Sequence, residues 1–398
     1  MKDGLLVGEL RAALTRRALL SGATLMLAGC NSSLDLAGMG APPPAPTPSA
    51  PVHGPLVGET LGTGPTRVGM ILPLTQNGAP SAVGVSMRNA AQLAVDEFAG
   101  PYITLMIQDD RSTPDGAARA AQAELGAGAE LLLGPVYAND VRQAASVARA
   151  AGKPIIAFST DVSVAAPGTY LLSFLVQGYV DRIAQFAASR GKKSFAVMAP
   201  QNEYGNVAVA EFQQAAGNLN APIVVVARYA PGAPQSAAQE IAAAGGQIDA
   251  LFIPEQAEGM PAAASALAAA GIKTQLLGTG VWNDARVLRL PQMQGAWFSA
   301  PDNAGFNAMA QRYKAKFGSE PTRLATLSYD AVTLAAALSK NPDRFSQRAL
   351  TSVSGFNGAD GVFRFRADGT NERGLAVMEI DNNAAVAISP APRSFAAG

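Results

Sequence analysis

The groups in this chain that could do chemistry are few. Its only cysteine, Cys30, would act through a thiolate, as a nucleophile or as a point of acylation. Ser189-Arg190-Gly191-Lys192 has the S-x-x-K spacing in which a lysine activates a serine, but no S-D-N or K-T-G partner accompanies it. It also falls where a helix should end, with Gly191 at C′ and Lys192 solvated. Asp109-Asp110 offers paired carboxylates for acid–base work. That pair follows a strand pattern and precedes a helix cap, which points to a structural or hinge-facing role. The only histidine, His53, lies in a proline-rich stretch and reads as solvated. No histidine follows it, so Ser-His-Asp and Cys-His chemistry have no base. Metal clusters of His and Cys are excluded, and only carboxylate sites stay open. Gly62-Thr63-Gly64 and Gly126-Ala127-Gly128 do not stand between a strand and a following helix, so neither is a dinucleotide loop. No catalytic residue, metal or cofactor is assigned, and the chain reads as non-enzymatic.

Cys30 has a stronger context. It closes Leu27-Ala28-Gly29-Cys30, directly after the apolar stretch Ala18–Met26, with Lys2, Arg11, Arg16 and Arg17 ahead of it. A basic region, a short apolar region and small residues at a cut point describe an export signal. A cysteine at the cut resembles the bacterial lipobox, so residues 1–29 are expected to be a lipoprotein signal peptide and Cys30 the lipidated N-terminus. The apolar stretch is shorter than the roughly 20 residues a lasting transmembrane helix needs. Thr15-Arg16-Arg17-Ala18-Leu19-Leu20 also looks like an imperfect twin-arginine signal, so that route and the general one both stay open. The expected location is the cell envelope, lipid-anchored in the periplasm. Asn31 is not the aspartate of an inner-membrane retention signal, which favours the outer membrane.

The 398 residues carry 30 basic and 30 acidic side chains. Without residues 1–29 the balance is 26 to 28, which argues against a nucleic-acid partner. Residues 30–65 hold Pro42-Pro43-Pro44, Pro46, Pro48, Pro51 and Pro55 among small residues. Such a segment has too little apolar area to offset its ordering entropy and reads as a semi-extended tether.

From residue 66 strand and helix patterns alternate. Strands are expected at Thr66–Leu72, Ile103–Gln108, Glu130–Leu133, Lys153–Phe158, Ser194–Met198, Ile223–Arg228, Asp249–Ile253 and Gln275–Leu277. Helices are expected between them, one starting at the N-cap Thr113 with Pro114 in first position. Continuous Val/Ile/Leu runs alternating with helices imply a parallel sheet covered on both faces. The length favours two Rossmann-like, doubly wound α/β lobes joined by a hinge over a (β/α)₈ barrel. Gly361–Phe365 and Gly374–Ile380, with turn formers between, predict a terminal hairpin. The expected division is lobe 1 at 66–173 and 299–340, and lobe 2 at 174–298 and 341–390.

Val68-Gly69-Met70-Ile71-Leu72-Pro73-Leu74-Thr75 resembles the opening of type 1 periplasmic solute-binding proteins, the leucine-binding class. Gln108–Arg111, Leu132–Pro135, Lys153–Ile156 with Ser159-Thr160, and Glu203-Tyr204-Gly205 follow in that family's order, so the resemblance spans about 66–385. The lipobox, the tether, Ala157–Asp161, Leu277–Gly280 and Ser328–Ala331 look closest to the penicillin-binding protein activator lipoproteins within it.

The resemblance implies two lobes, three crossovers and a ligand between them. In open α/β sheets ligands sit off the carboxyl ends of strands. Carried over, Ser159 and Thr160 would hold a carboxylate, with helix or turn capping as their other role. Tyr204 would pack over the ligand or serve the interface, and Glu255 would meet an ammonium group or stand as a solvated loop charge. The family's serine after Gly134-Pro135 is Ala138 here, flanked by Tyr137 and Asn139, so a hydroxyl is missing and Tyr137 would fill part of the cleft. Two functions follow. One is capture of an amino acid or similar small polar ligand for an ABC permease. The other is stimulation of a peptidoglycan synthase by direct contact.

Overall fold

The computed structural model describes residues 54–395, so Cys30, the signal segment and His53 lie outside the described residues. The first half builds β1 Glu59–Leu61, β2 Thr66–Leu72, β3 Ile103–Asp109, β4 Leu131–Leu133, β5 Ile155–Ala157 and β6 Thr169–Leu171. They form one sheet in the order β1-β3-β2-β4-β5-β6, parallel except for the edge strand β1. Then come β7 Phe195–Pro200, β8 Ile223–Tyr229, β9 Ala250–Phe252, β10 Gln275–Gly278 and β11 Trp297–Ala300. After these follow β12 Phe356–Gly358, β13 Gly361–Phe365, β14 Asn371–Arg373, β15 Ala376–Asp381 and β16 Ala384–Ser389. The second sheet runs β8-β7-β9-β10-β11-β15-β16 and is parallel until β15 and β16 add antiparallel strands at one edge.

Both sheets are covered on both faces, and the strand alternation shows it. In β2, Val68, Met70 and Leu72 enter one core and Ile71 the opposite one. In β7, Phe195 and Val197 face one core while Ala196 and Met198 face the other. The covering helices are α1 Ala82–Ala94, α2 Pro114–Gly126, α3 Ala138–Ala150, α4 Val176–Ser189, α5 Glu203–Asn218, α6 Gln235–Ala244, α7 Met260–Ala269, α8 Asn303–Phe317 and α9 Ala325–Leu338. Their starts follow local rules. Thr113 accepts from the Gly116 N–H at 3.1 Å with Pro114 in the first turn, and Asn202 accepts from Gly205 at 2.7 Å. Gly191 ends α4 at a φ of 81°, and the Ser189 hydroxyl donates to the Phe186 carbonyl.

Three expectations are corrected. The strand runs Gly361–Phe365 and Gly374–Ile380 do not pair with each other. β13 pairs with β14, while β15 joins the second sheet beside β11. Gly374-Leu375 is the reason, because the chain leaves one lobe for the other there. Residues 341–373 therefore belong with the first lobe, and Phe345, Leu350, Phe363 and Phe365 complete its core. Residues 54–65, expected in the tether, pack on the first lobe instead, since Glu59–Leu61 pairs with Leu105–Ile107 and Arg67 holds the Gly54 carbonyl at 2.6 Å.

Candidate functional site

The chain crosses between lobes three times, at 172–175, 301–302 and 374–375. The crossings are stitched together. The Ser173 carbonyl accepts from Asn371 Nδ2 at 2.8 Å and from Arg373 Nε at 3.0 Å, and Arg182 Nε donates to the Leu375 carbonyl at 2.8 Å. The Ser299 hydroxyl donates to the Tyr179 carbonyl at 2.7 Å.

Beside these crossings a cavity of about 600 Å³ opens at the carboxyl ends of the strands, the usual size and place for a small ligand in open α/β sheets. Thr160, after β5, lines it from the first lobe, with Asn303, Phe306 and Asn307 of α8 and Arg323 and Leu324 before α9. The second lobe supplies Tyr204, Gln256, Val281 and Asn283. Phe174 and Pro301 come from the crossings, and Val176 and Tyr179 from the start of α4. Gly280 is required here, because a Cβ would stand 2.8 Å from the Tyr179 ring.

The predicted site residues divide. Thr160 and Tyr204 reach the cavity. The Tyr204 hydroxyl lies 2.5 Å from Thr279 Oγ1, and burial pushes its phenol up to about 12. Ser159 does not reach it. Its side chain is buried and its Oγ accepts from the Asp161 N–H at 3.1 Å, so it holds the turn after β5. Tyr137 and Asn139 line a separate shallow depression of about 300 Å³ with Ser112 and Asp140, and Asn139 Oδ1 accepts from Arg142 at 2.6 Å. Tyr137 therefore does not fill the cleft. That loop is set by Gly134, whose φ is 85° and whose Cβ would stand 2.0 Å from the Ile71 carbonyl oxygen.

Glu255 is neither a solvated charge nor a wall of the cavity. It is buried, its Oε2 accepts from the Tyr229 hydroxyl at 2.6 Å and its Oε1 from the Gln256 N–H at 2.7 Å. The Asp109-Asp110 pair is structural. Asp109 accepts from the Thr75 N–H and hydroxyl, and Asp110 Oδ1 from the Ser112 N–H at 2.7 Å. Burial, with Asp140 and Asp109 adding, pushes the Asp110 carboxyl up to about 7, and burial pushes Asp140 up to about 6. Among the described residues no group of three or more His, Cys, Asp or Glu converges as a metal site.

The hinge side of the cavity holds residues that sequence reasoning missed. The Arg323 guanidinium sits over the Phe306 ring at 4.4 Å and the Phe174 ring at 5.5 Å. On the other side of the stack the Arg373 guanidinium is 4.8 Å from the Phe174 ring and 5.5 Å from that of Phe363. Arg323 pairs through Nη2 with the fully buried Asp360, which also accepts from Thr326. Burial raises the Tyr179 phenol against the lowering pull of both guanidinium groups. No motif marks these positions, because they converge only when the three crossings are in place.

A family model described as periplasmic binding protein matches residues 65–385, and the chain belongs to that family. Solved structures agree on the fold. A Rhodospirillum rubrum protein assigned as a branched-chain amino acid ABC transporter is 21% identical with a TM-score of 0.73, covering 81% of this chain and 99% of its own. A Desulfitobacterium hafniense ABC transporter substrate-binding protein in complex with Leu is 18% identical with a TM-score of 0.61, covering 81% and 99%. A solute-binding protein of an ABC transporter from R. palustris, in complex with benzoate, is 21% identical with a TM-score of 0.57, covering 83% and 97%. No curated protein matches the chain.

Proposed function

We propose that this member of the periplasmic binding protein family is an extracytoplasmic solute receptor. It captures an amino acid or similar small polar ligand between its lobes and presents it to an ABC permease. The observation that carries this reading is the cavity of about 600 Å³, walled by both lobes and by the crossings that would let them hinge. The leucine- and benzoate-bound relatives support it. Ligand would favour the closed arrangement by its differential affinity for it. The test is a melting series of the purified protein with amino acids and small organic acids. A ligand at a hundredfold excess over Kd adds about 2.7 kcal/mol of stability, and a flat series across the panel would defeat the reading.

Anchoring through lipidated Cys30 belongs to the same proposal. A Cys30→Ser protein should leave the membrane fraction, and its retention there would refute the anchor.

A second reading, contact with a peptidoglycan synthase, is favoured by Ala138 in place of a ligand hydroxyl and by Glu255 being committed to Tyr229. Co-purification of a synthase with a protein that binds no solute would select it.

A further inference from the structure

We infer that the cavity is built for a solute bearing an anionic group and no ammonium, with Arg323 as its counter-charge. This rests on the solute-receptor reading and narrows it.

The charge inventory of the walls comes first. Among the described residues Arg323 is the only charged side chain lining the cavity, and no carboxylate lines it. The remaining polar side chains of the wall are neutral, namely Thr160, Tyr179, Tyr204, Gln256, Asn283, Asn303 and Asn307. An amino acid brings an ammonium that must be desolvated, and a buried charge without an opposite partner is strongly disfavoured. The nearest sequence candidate for that partner, Glu255, has both oxygens engaged and does not line the cavity. An ammonium would instead share the cavity with a guanidinium of like charge.

The carboxylate end is also handled differently. Ala138 brings no hydroxyl, and the Ser159 hydroxyl is used by the Asp161 N–H. Arg323 supplies what these do not. Phe306 and Phe174 hold its plane, and Asp360 fixes Nη2. Its Nη1 is enclosed and has no hydrogen-bond partner among the described residues, while 34% of the side chain stays exposed. A planar guanidinium that lines the cavity with part of its side chain exposed suits a carboxylate. Phe174, Val176, Val281, Phe306 and Leu324 then leave room for an apolar or aromatic body.

Isothermal titration of the full chain with four probes tests this. 4-Methylpentanoate is leucine without its ammonium, 4-methylpentanamide is its neutral counterpart, and L-leucine and benzoate complete the set. The expected result is binding of both carboxylates, with leucine and the amide at least tenfold weaker. Arg323→Gln should cost the carboxylates tenfold or more. Asn307→Asp, at an exposed position of the wall, should weaken the carboxylates and strengthen leucine, which keeps the test sharp if R323Q fails to fold. Leucine binding as tightly as 4-methylpentanoate would overturn the inference and leave the receptor reading standing. Carboxylate affinity unchanged in a folded R323Q, or in N307D, would also overturn it. Absence of binding by all four probes to the folded protein would overturn both.

Discussion

Arg373 donates through Nε to the Ser173 carbonyl at 3.0 Å, and so ties the third crossing between the lobes to the first. The same guanidinium lies 4.8 Å from the Phe174 ring, whose other neighbour is Arg323. Phe306, Arg323, Phe174, Arg373 and Phe363 thus form one ladder of alternating rings and cations beside the cavity. Asp330, fully enclosed behind it, has its carboxyl pushed up to about 7 by burial, although Arg373 pulls it down.

Arg373→Met should keep the stem packed but lose the Ser173 bond and the charge facing Asp330. The expected cost is about 2–4 kcal/mol of unfolding free energy, read as a lower urea midpoint. Arg373→Lys should recover part of it. Equal midpoints for wild type and R373M would show that Asn371 alone holds the crossing.

Tyr204→Phe removes the partner of the fully buried Thr279 hydroxyl. Stability should fall by roughly 1 kcal/mol, and ligand affinity by several-fold, since Tyr204 is part of the cavity wall. Thermal melting and titration calorimetry measure the two effects separately. A change in neither would remove Tyr204 from the site.

Glu255→Gln separates two roles for one carboxylate. Were Glu255 an ammonium ligand, E255Q would lower leucine affinity tenfold or more. Its bonds to Tyr229 and Gln256 predict a loss of stability instead, about 1–2 kcal/mol, shared by Tyr229→Phe. Calorimetry and melting on both variants decide it.

Stability should fall as pH rises from about 4 to about 7. Burial raises the folded pKa of Asp110 to about 7 from the ordinary aspartate value of 3.8, and that of Asp140 to about 6. Below about 4 both groups are protonated whether the chain is folded or not. Between these limits the folded state holds the extra proton, so each pH unit costs up to about 1.4 kcal/mol for Asp110 until its folded pKa is passed. Asp110→Asn keeps an acceptor for the Ser112 N–H and should make the profile shallower, the slope left over coming from Asp140, Asp330 and Glu124, whose carboxyls burial also raises. Urea unfolding between pH 4 and 8 tests this, and a profile identical to wild type would refute the assignment.

The Asp110 example shows how much was legible. Its place after a strand and before the Thr113 cap points to a structural or hinge-facing carboxylate, because turn and cap chemistry acts over three or four residues, and the Ser112 bond makes it structural. Gly191 was recognised as a helix stop for the same reason. The hairpin expected from Gly361–Phe365 and Gly374–Ile380 failed because alternation of apolar and polar residues tells which face is buried, not which strand lies beside it. Ser159 and Tyr204 illustrate the limit at the site. Both stand in family motifs, yet the Ser159 hydroxyl serves its own turn while Tyr204 lines the cavity.

The amino-acid sequence by itself determined the alternation of strands and helices and the α/β class, since both are written in local composition and periodicity. Only the tertiary structure decided what the cavity presents. Thr160, Tyr204, Gln256, Asn303 and Arg323 come together because the chain passes three times between the lobes. No local rule could show that Glu255 would be turned onto Tyr229 while Arg323 became the one charge that the described residues bring to the wall, for that depends on which distant side chains fill the space around each.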